Sequence, residues 1–419
     1  MKQLPTGWSR HKLGDLIELK YGVALPKKAR TNNGPPVLGS NGRIGEHTPA
    51  LTDGETLIIG RKGSIGEVHY SPMACTPIDT TYYIDNVPDN AFRYWFYSLK
   101  NLNLDRLNKS TAIPGLSRND VYDIDTPVPP INEQRRIADK LDRVLACVDG
   151  ANEHLSRVAP LIKRFRQSVL AAATSGRLTE DTSTTSRQVM LQDVALDFSY
   201  GSSEKSKPHG KVPVLRMGNI QGGSIDWSDL VFTDNESEIA KYELTYGDVL
   251  FNRTNSPELV GKTAIYDQGP RAIYAGYLIR IKCTEELNPF YLNYCLNSPM
   301  GRAYCWSVKS DGVSQSNINA KKLAAFSFRL PSIEEQSEIV RRVEKLFAFA
   351  DRLEKRLTQA QAAVQKLTPA LLAKAFRGEL VPQDPNDEPA SELLKRLQKS
   401  RTDSSKPSRA RKPRTRKSP

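Results

Sequence analysis

The chain has 419 residues, 38% hydrophobic and 26% charged, with a formal net charge of +13. That length exceeds what one hydrophobic core organises, so two or more domains are expected. No apolar run reaches the ~18 residues a membrane span needs, and "MKQLPTGWSR" has no apolar signal core, so the expected address is the cytoplasm, with no membrane partner.

The five cysteines, Cys75, Cys147, Cys283, Cys295 and Cys305, lack C-x-x-C spacing and support neither a disulfide framework nor a zinc site. They read as reduced, mostly buried thiols. The positive charge is concentrated at one end. From Lys399 to Pro419 nine Lys/Arg face one acid, a net of +8 that leaves +5 for the other 398 residues. The body is therefore mildly basic, and residues 382–419 read as a basic disordered tail suited to sequence-blind phosphate contact or to solubility.

In chain order, a first globular part spans 1–129. Its β-rich runs "TLIIG" and "TYYID" alternate with turn clusters, and an aromatic helix, "FRYWFYSLKNL", follows. A long helix is expected over 130–179, with Asn132 at its start, Gly176 as a left-handed C-cap and a kink at Pro160. After a linker at 180–190, a second globular part spans 191–329, with "DVLFNR" and "YLIRIK" as strands and "PFYLNYCLN" as the matching aromatic helix. A second long helix follows over 330–381. Ser332 and Glu335 have capping-box spacing at its start, Gly378 marks its end, and Pro369 predicts a kink.

The chain is a duplication. A fixed shift of 202 lays residues 131–178 on 333–380 without a gap, so that Ile131, Glu133, Gln134 and Ile137 meet Ile333, Glu335, Gln336 and Ile339. The globular parts correspond more loosely: "LGDLIELKYG" meets "LQDVALDFSYG", "GETLIIGRKGSIG" meets "GDVLFNRTNSPELVG", and Lys109-Ser110 meets Lys309-Ser310. Along the first helix apolar residues step by four and three through Ile137, Leu141, Val144, Val148, Ala151, Leu155, Val158 and Ile162. Along the second they step through Ile339, Val343, Leu346, Ala350, Leu353, Leu357, Ala360, Val364, Leu367 and Leu371. A 3.5-residue period held for more than four heptads is a coiled-coil seam, so each helix needs a partner helix.

Forty-seven helical residues span roughly 70 Å, whereas the linker reaches at most about 40 Å. The second globular part therefore begins near the far end of the first helix, and paired seams must run antiparallel. The expected fold is a mixed α/β (α+β) chain: two globular domains separated by two long helices in an antiparallel coiled coil, with pseudo-twofold symmetry. Two-fold related but unlike modules suit the reading of two separated, non-identical half-sites on a duplex.

The phrases "PVPPINEQRRIADKLDRVLACVD", "LIKRFRQSVLAAATSGRLT" and "YGDVLFNRTNSPELVGKTA", in this repeated order of globular part and helix, resemble the DNA-specificity subunit of type I restriction and modification systems. The resemblance covers residues 4–381. It implies two target-recognition domains, each binding one half of a split sequence in double-stranded DNA, with the paired helices setting the gap. It also implies that the helices dock two methyltransferase subunits, which carry S-adenosylmethionine and methylate adenine. The same resemblance implies that motor-nuclease subunits using ATP and Mg2+ complete the assembly, and that this chain itself holds no cofactor or metal and catalyses nothing.

Fragments that look catalytic fail on inspection. "GKT" at 261–263 has Ser256 where a phosphate-binding loop needs glycine, "NPFY" at 288–291 lacks the second proline of the adenine methyltransferase motif and suits a helix cap, and "GRKGSIG" at 60–66 is not G-x-G-x-x-G. For base contacts, Arg or Lys suits guanine and Asn or Gln suits adenine. On turns beside strands these are Asn41, Arg43, Arg61 and Lys62 in the first part, and Arg216, Asn219, Arg253, Asn255 and Lys262 in the second. Lys109 and Lys309, shared by both halves, read as phosphate anchors. Two other functions fit the same pattern: a coiled-coil adaptor with no DNA role, and the specificity part of a stand-alone adenine methyltransferase.

Overall fold

The computed structural model describes residues 4–108, 115–181 and 185–396. The chain divides into two compact units, Met1–His154 with Gln361–Pro419, and Leu155–Ala360, so the division passes through both long helices. In chain order the first unit holds β1 (Ser9–Lys12), β2 (Lys20–Tyr21), β3 (Pro36–Gly39), β4 (Gly42–Glu46), β5 (Thr56–Gly60), β6 (Val68–Ser71), β7 (Thr76–Pro77), β8 (Thr81–Ile84), α1 (Phe92–Asn101), α2 (Arg118–Tyr122), β9 (Asp125–Val128) and the start of α3 (Ile131–Ser175).

The second unit holds the end of α3, then β10 (Arg187–Met190), β11 (Ala195–Tyr200), β12 (Val212–Leu215), β13 (Ile220–Gln221), β14 (Ser224–Ile225), β15 (Val231–Thr233), α4 (Glu236–Tyr242), β16 (Asp248–Asn252), β17 (Thr254–Asn255), β18 (Thr263–Tyr266), β19 (Ile273–Tyr274), β20 (Leu278–Cys283), α5 (Pro289–Asn297), α6 (Pro299–Val308), β21 (Ser310–Asp311), β22 (Ser316–Asn317), α7 (Ala320–Ala324), β23 (Ser327–Leu330) and the start of α8 (Ile333–Ala375). The end of α8 belongs to the first unit.

The duplication is written in the strand order. The first unit builds a four-stranded antiparallel sheet β2-β8-β5-β6, a three-stranded sheet β4-β3-β7 whose β3 and β7 are parallel, and a β1-β9 pair. The second builds β11-β20-β16-β18, then β15-β12-β19 with β12 and β19 parallel, and a β10-β23 pair. Every residue of β5 and of β16 is buried, which is why "TLIIG" and "DVLFN" read as unbroken runs rather than as alternating half-exposed strands. Among the described residues, the second unit also holds the β13-β14 hairpin and the small sheet β17-β22-β21.

Each helix start is a locked corner. Gln134 donates its side-chain amide to the Pro129 carbonyl at 3.0 Å, and Gln336 donates likewise to Pro331 at 2.9 Å. The neighbouring glutamates are buried acceptors: Glu133 takes the Trp8 indole N–H at 3.0 Å, and Glu335 takes Thr179 and Arg329, both at 2.9 Å. Of the expected capping box, Ser332 accepts the Glu335 backbone N–H at 3.3 Å, while one oxygen of the Glu335 carboxylate takes Thr179 and Arg329. Asn132 lies inside the first turn of α3 rather than before it, with its side chain on Asp387. Gly176 (φ +85°) and Gly378 (φ +72°) take the left-handed conformation expected of C-caps, and both helices continue through Pro160 and Pro369.

In the second unit the two helices run antiparallel. There Val169 and Ala173 share a core with Ile339 and Val343, while Ile162, further back along α3, packs with Ala350 and Leu357, further on along α8. In the first unit Ile137 and Leu141 pack with Leu372, Ala375 and Phe376. Of the seam positions, Ile137, Leu141, Val148, Ile162, Ile339, Val343 and Leu357 are buried, and Val144, Leu155, Leu346, Leu353 and Val364 are half-buried. Leu367 departs from the expected seam: it is exposed, and Thr368 takes the half-buried place. A straight helix has 3.6 residues per turn, so a strict 3.5-residue stripe drifts off the contact line unless the helices supercoil.

Two boundaries differ from expectation. The linker at 180–190 ends early, because Arg187–Met190 pairs with β23 through the Arg187↔Leu330 to Met190↔Ser327 register. The tail at 382–419 is not uniformly unstructured. Asp387 pairs with Arg136 at 2.6 Å, the Ala390 N–H donates to Gly7 at 2.9 Å, and Ala390 and Leu394 enter the core of the first unit. The basic run from Lys399 lies outside the described residues.

Candidate nucleic-acid interface

In the first unit Asn41 forms the exposed turn between β3 and β4, and Arg43, exposed on β4, is paired with Glu46. Arg61 follows β5 directly. Its guanidinium stacks 5.3 Å from the Tyr21 ring centroid and 5.9 Å from that of Tyr82, and donates to the Asp79 carbonyl at 2.7 Å. Burial, and then the Tyr21 hydroxyl, push the Tyr82 phenol up to about 12. Lys62 is exposed beside it.

In the second unit Arg216 and Arg253 line one open groove of about 830 Å³, with Lys205, Asp229 and Tyr277 on its walls. Arg216 is held by Asp229 at 3.0 Å. Arg253 stacks 4.6 Å from the Tyr200 ring centroid and reaches Gly276 O and Asn317 Oδ1, each at 3.5 Å. Tyr277 is half-exposed on the same groove.

Other sequence candidates are occupied with the fold. Asn219 is 2% exposed; its Oδ1 accepts the Arg216 N–H at 2.8 Å and its amide donates to Asp226 O and Asp229 O, both at 2.9 Å. It braces a turn and has no edge left for a base. Asn255 accepts the Ser256 N–H at 2.8 Å. Lys262 donates to Gln221 Oε1 at 2.9 Å, and burial, then Arg302, pull its ammonium below the ordinary lysine range. Lys309 has an 8% exposed side chain, tied to Asp311 at 2.6 Å and lying 4.3 Å from the Trp306 ring centroid. Its charge is thus already paired with Asp311, as those of Arg43 and Arg216 are paired with Glu46 and Asp229, and its side chain is the least exposed of the three. Lys109 lies outside the described residues.

Tyr21, Tyr200, Lys205 and Tyr277 escaped sequence reasoning. The signal was present for two of them: the Tyr-Gly pair at 21–22 recurs at 200–201. Among the described residues no cluster of His, Cys, Asp and Glu could hold a metal ion, and no helix is long and apolar enough to cross a membrane. Of the five cysteines, which are all free, Cys75, Cys295 and Cys305 are buried and Cys147 is exposed.

Two solved structures share this architecture. One chain, from work on complex assembly and conformational transition of the type I R-M system, superposes with a TM-score of 0.64 at 18% identity, covering 91% of this chain and 100% of that one. The HsdS subunit from Thermoanaerobacter tengcongensis gives 0.56 at 20% identity, covering 90% and 99%. In sequence, the EcoKI specificity subunit of Escherichia coli (strain K12) is 36% identical over 271 residues, 62% of this chain and 58% of that protein, so the match spans less than two thirds of that relative. The EcoBI specificity subunit of Escherichia coli is 30% identical over 417 residues, covering 90% of this chain and 87% of the relative. The family model for the type I restriction modification DNA specificity domain matches residues 5–158 and again 198–361, once in each half of the duplication. The chain belongs to that family, the type I restriction modification DNA specificity domains.

Proposed function

We propose that this chain is the DNA-recognition subunit of a type I restriction and modification complex, reading a split, asymmetric duplex sequence with one half-site per globular part. The observation that carries the reading is the twofold construction of one sheet framework with different surface residues on each copy: Arg43 and Lys62 in the first, Arg216 and Lys205 in the second. A constant frame with variable turns suits two modules that dock on DNA in the same way and read different bases.

In this reading the chain performs no bond chemistry. The paired helices set the number of unread base pairs and dock two methyltransferase subunits, which supply S-adenosylmethionine and methylate adenine. Motor-nuclease subunits would bring ATP and Mg2+, and the assembly would work in the cytoplasm. The family membership and the relatives named as specificity subunits support this. The test is a binding titration of labelled duplex with the chain and its methyltransferase subunits. A saturable shift that competitor DNA of other sequence fails to remove is expected. No shift under any salt condition would leave a protein-only adaptor as the better account.

A further inference from the structure

Arg61 and Arg253 occupy the same place in the two copies of the fold. The Arg61 N–H donates to Thr80 O at 2.9 Å and its carbonyl accepts from Leu116 at 3.0 Å; the Arg253 N–H donates to Tyr277 O at 3.0 Å and its carbonyl accepts from Ile318 at 2.9 Å. Each side chain lies over the tyrosine of a Tyr-Gly pair and donates to a carbonyl just ahead of the neighbouring strand, Asp79 O in one and Gly276 O in the other. The glycine of each pair is required by the packing. A Cβ on Gly22 would sit 2.1 Å from Ile78 O, and one on Gly201 would sit 2.2 Å from Tyr274 O.

Neither guanidinium is in an ion pair among the described residues; the Nε of each, like that of Arg216, is buried without a hydrogen-bond partner, so the outward face is formed by the terminal nitrogens. Arg43, Arg216 and Lys309, by contrast, each have a carboxylate. A half-buried cation whose contacts are tyrosine rings and carbonyl or amide oxygens, with no carboxylate, is poorly compensated, which favours an incoming anion. A position locked by the common frame cannot be retuned for each half-site, so what it meets must be common to both.

We propose that Arg61 and Arg253 each grip a DNA phosphodiester, one per half-site, and set the register of the module without reading bases. This rests on the DNA-reading role above and replaces Lys109 and Lys309 as the shared anchors. The phosphate oxygens would accept from the terminal N–H groups left over by the contacts to Asp79 O in one copy and to Gly276 O and Asn317 Oδ1 in the other, while Tyr21 and Tyr200 hold the plane of the fork.

The experiment uses the full chain with its methyltransferase subunits and compares native, R253Q and R253K forms. Affinity is measured across salt concentrations for the target duplex and an unrelated duplex, and methylated adenines are mapped in cells. R253Q is expected to weaken both duplexes by about tenfold and to make the slope of log K against log salt shallower by about 0.9. R253K should keep the native slope with part of the affinity lost, and the methylated motif should stay the same in all three. A changed base preference in one half-site would overturn the proposal in favour of base reading, and unchanged affinity and slope would reduce Arg253 to a structural role. Failure of the native complex to bind would instead sink the DNA-reading role itself. Should R253Q not fold, native protein on duplexes with single neutral methylphosphonates decides: loss at one phosphate per half-site supports the grip, and no such position overturns it.

Discussion

Arg166 on α3 donates to Asp351 on α8 at 2.5 Å, although 185 positions separate them in the chain. Its guanidinium also reaches Glu354 at 3.2 Å and lies 5.1 Å from the Phe347 ring centroid, so one side chain ties the helices together by charge and by stacking. Because Asp351 and Glu354 are well exposed, the ion pairs themselves are worth little, about 0.2–1 kcal/mol each. Replacing Arg166 with Glu puts like charges face to face. R166E is expected to lower the urea midpoint of the second unit, and adding D351R to restore part of it. A double variant no better than R166E would show that the stacking, not the charge, matters.

The buried Glu133 predicts a pH effect of definite sign. Burial pushes its carboxyl up, against the Trp8 indole and the Gln383 amide, which pull it down. A folded carboxyl with a raised pKa stabilises the fold at low pH, and that contribution is lost as pH rises from the ordinary Glu range through the raised folded value. E133Q keeps an acceptor oxygen for Trp8 but does not titrate. Its stability relative to the native chain should therefore improve across that window and then level off. E133A, which leaves the indole N–H unpaired, should cost about 1–3 kcal/mol. A pH-independent difference between E133Q and the native chain would contradict this assignment.

Residues 382–396 are predicted to be part of the first unit's core rather than an appendage. L394A should cost about 2–4 kcal/mol, since a buried leucine is lost where the surroundings relax only in part. Chains ending at residue 396 should melt like the full one, whereas chains ending at 381 should lose Ala390, Leu394 and the Asp387 partner of Arg136 and melt lower. Equal melting of all three by calorimetry would remove the segment from the core.

The proposed ruler role of the helices predicts that four residues inserted into both α3 and α8, with the seam kept in register as far as possible, lengthen the methylated motif's gap by about one to two base pairs while leaving the bases unchanged. Four helical residues add about 6 Å. An unchanged gap would refute the ruler.

Much of the framework was legible because it is written in local, periodic signals. The apolar steps from Ile137 and Ile339, the C-cap glycines 176 and 378, and runs such as "TLIIG" and "DVLFN" depend on neighbours within a few residues. The site was less legible because its chemistry is decided by distant partners. Nothing near Asn219 announces that its amide is consumed by Asp226 and Asp229, nor near Lys309 that Asp311 and Trp306 hide its charge. Arg61 and Arg253 were visible as cations, but their tyrosine platforms lie 40 and 53 positions upstream, and only the shared sheet topology brings each pair together. The segment 382–396 was misread because it was joined to the basic run after it, although it is itself net acidic, with Asp384, Asp387, Glu388 and Glu392 against Lys395 and Arg396, and its few apolar residues, Ala390 and Leu394, enter the core of the first unit.

Central to the account is one chain reading two unlike half-sites. The direct measurement is to co-express it with its methyltransferase subunits in a host free of adenine methylation and map every methylated adenine in the genome. The account predicts a single asymmetric motif, two short specified blocks separated by a gap of fixed length. A continuous motif, a symmetric one, or no methylation with a competent methyltransferase would contradict it.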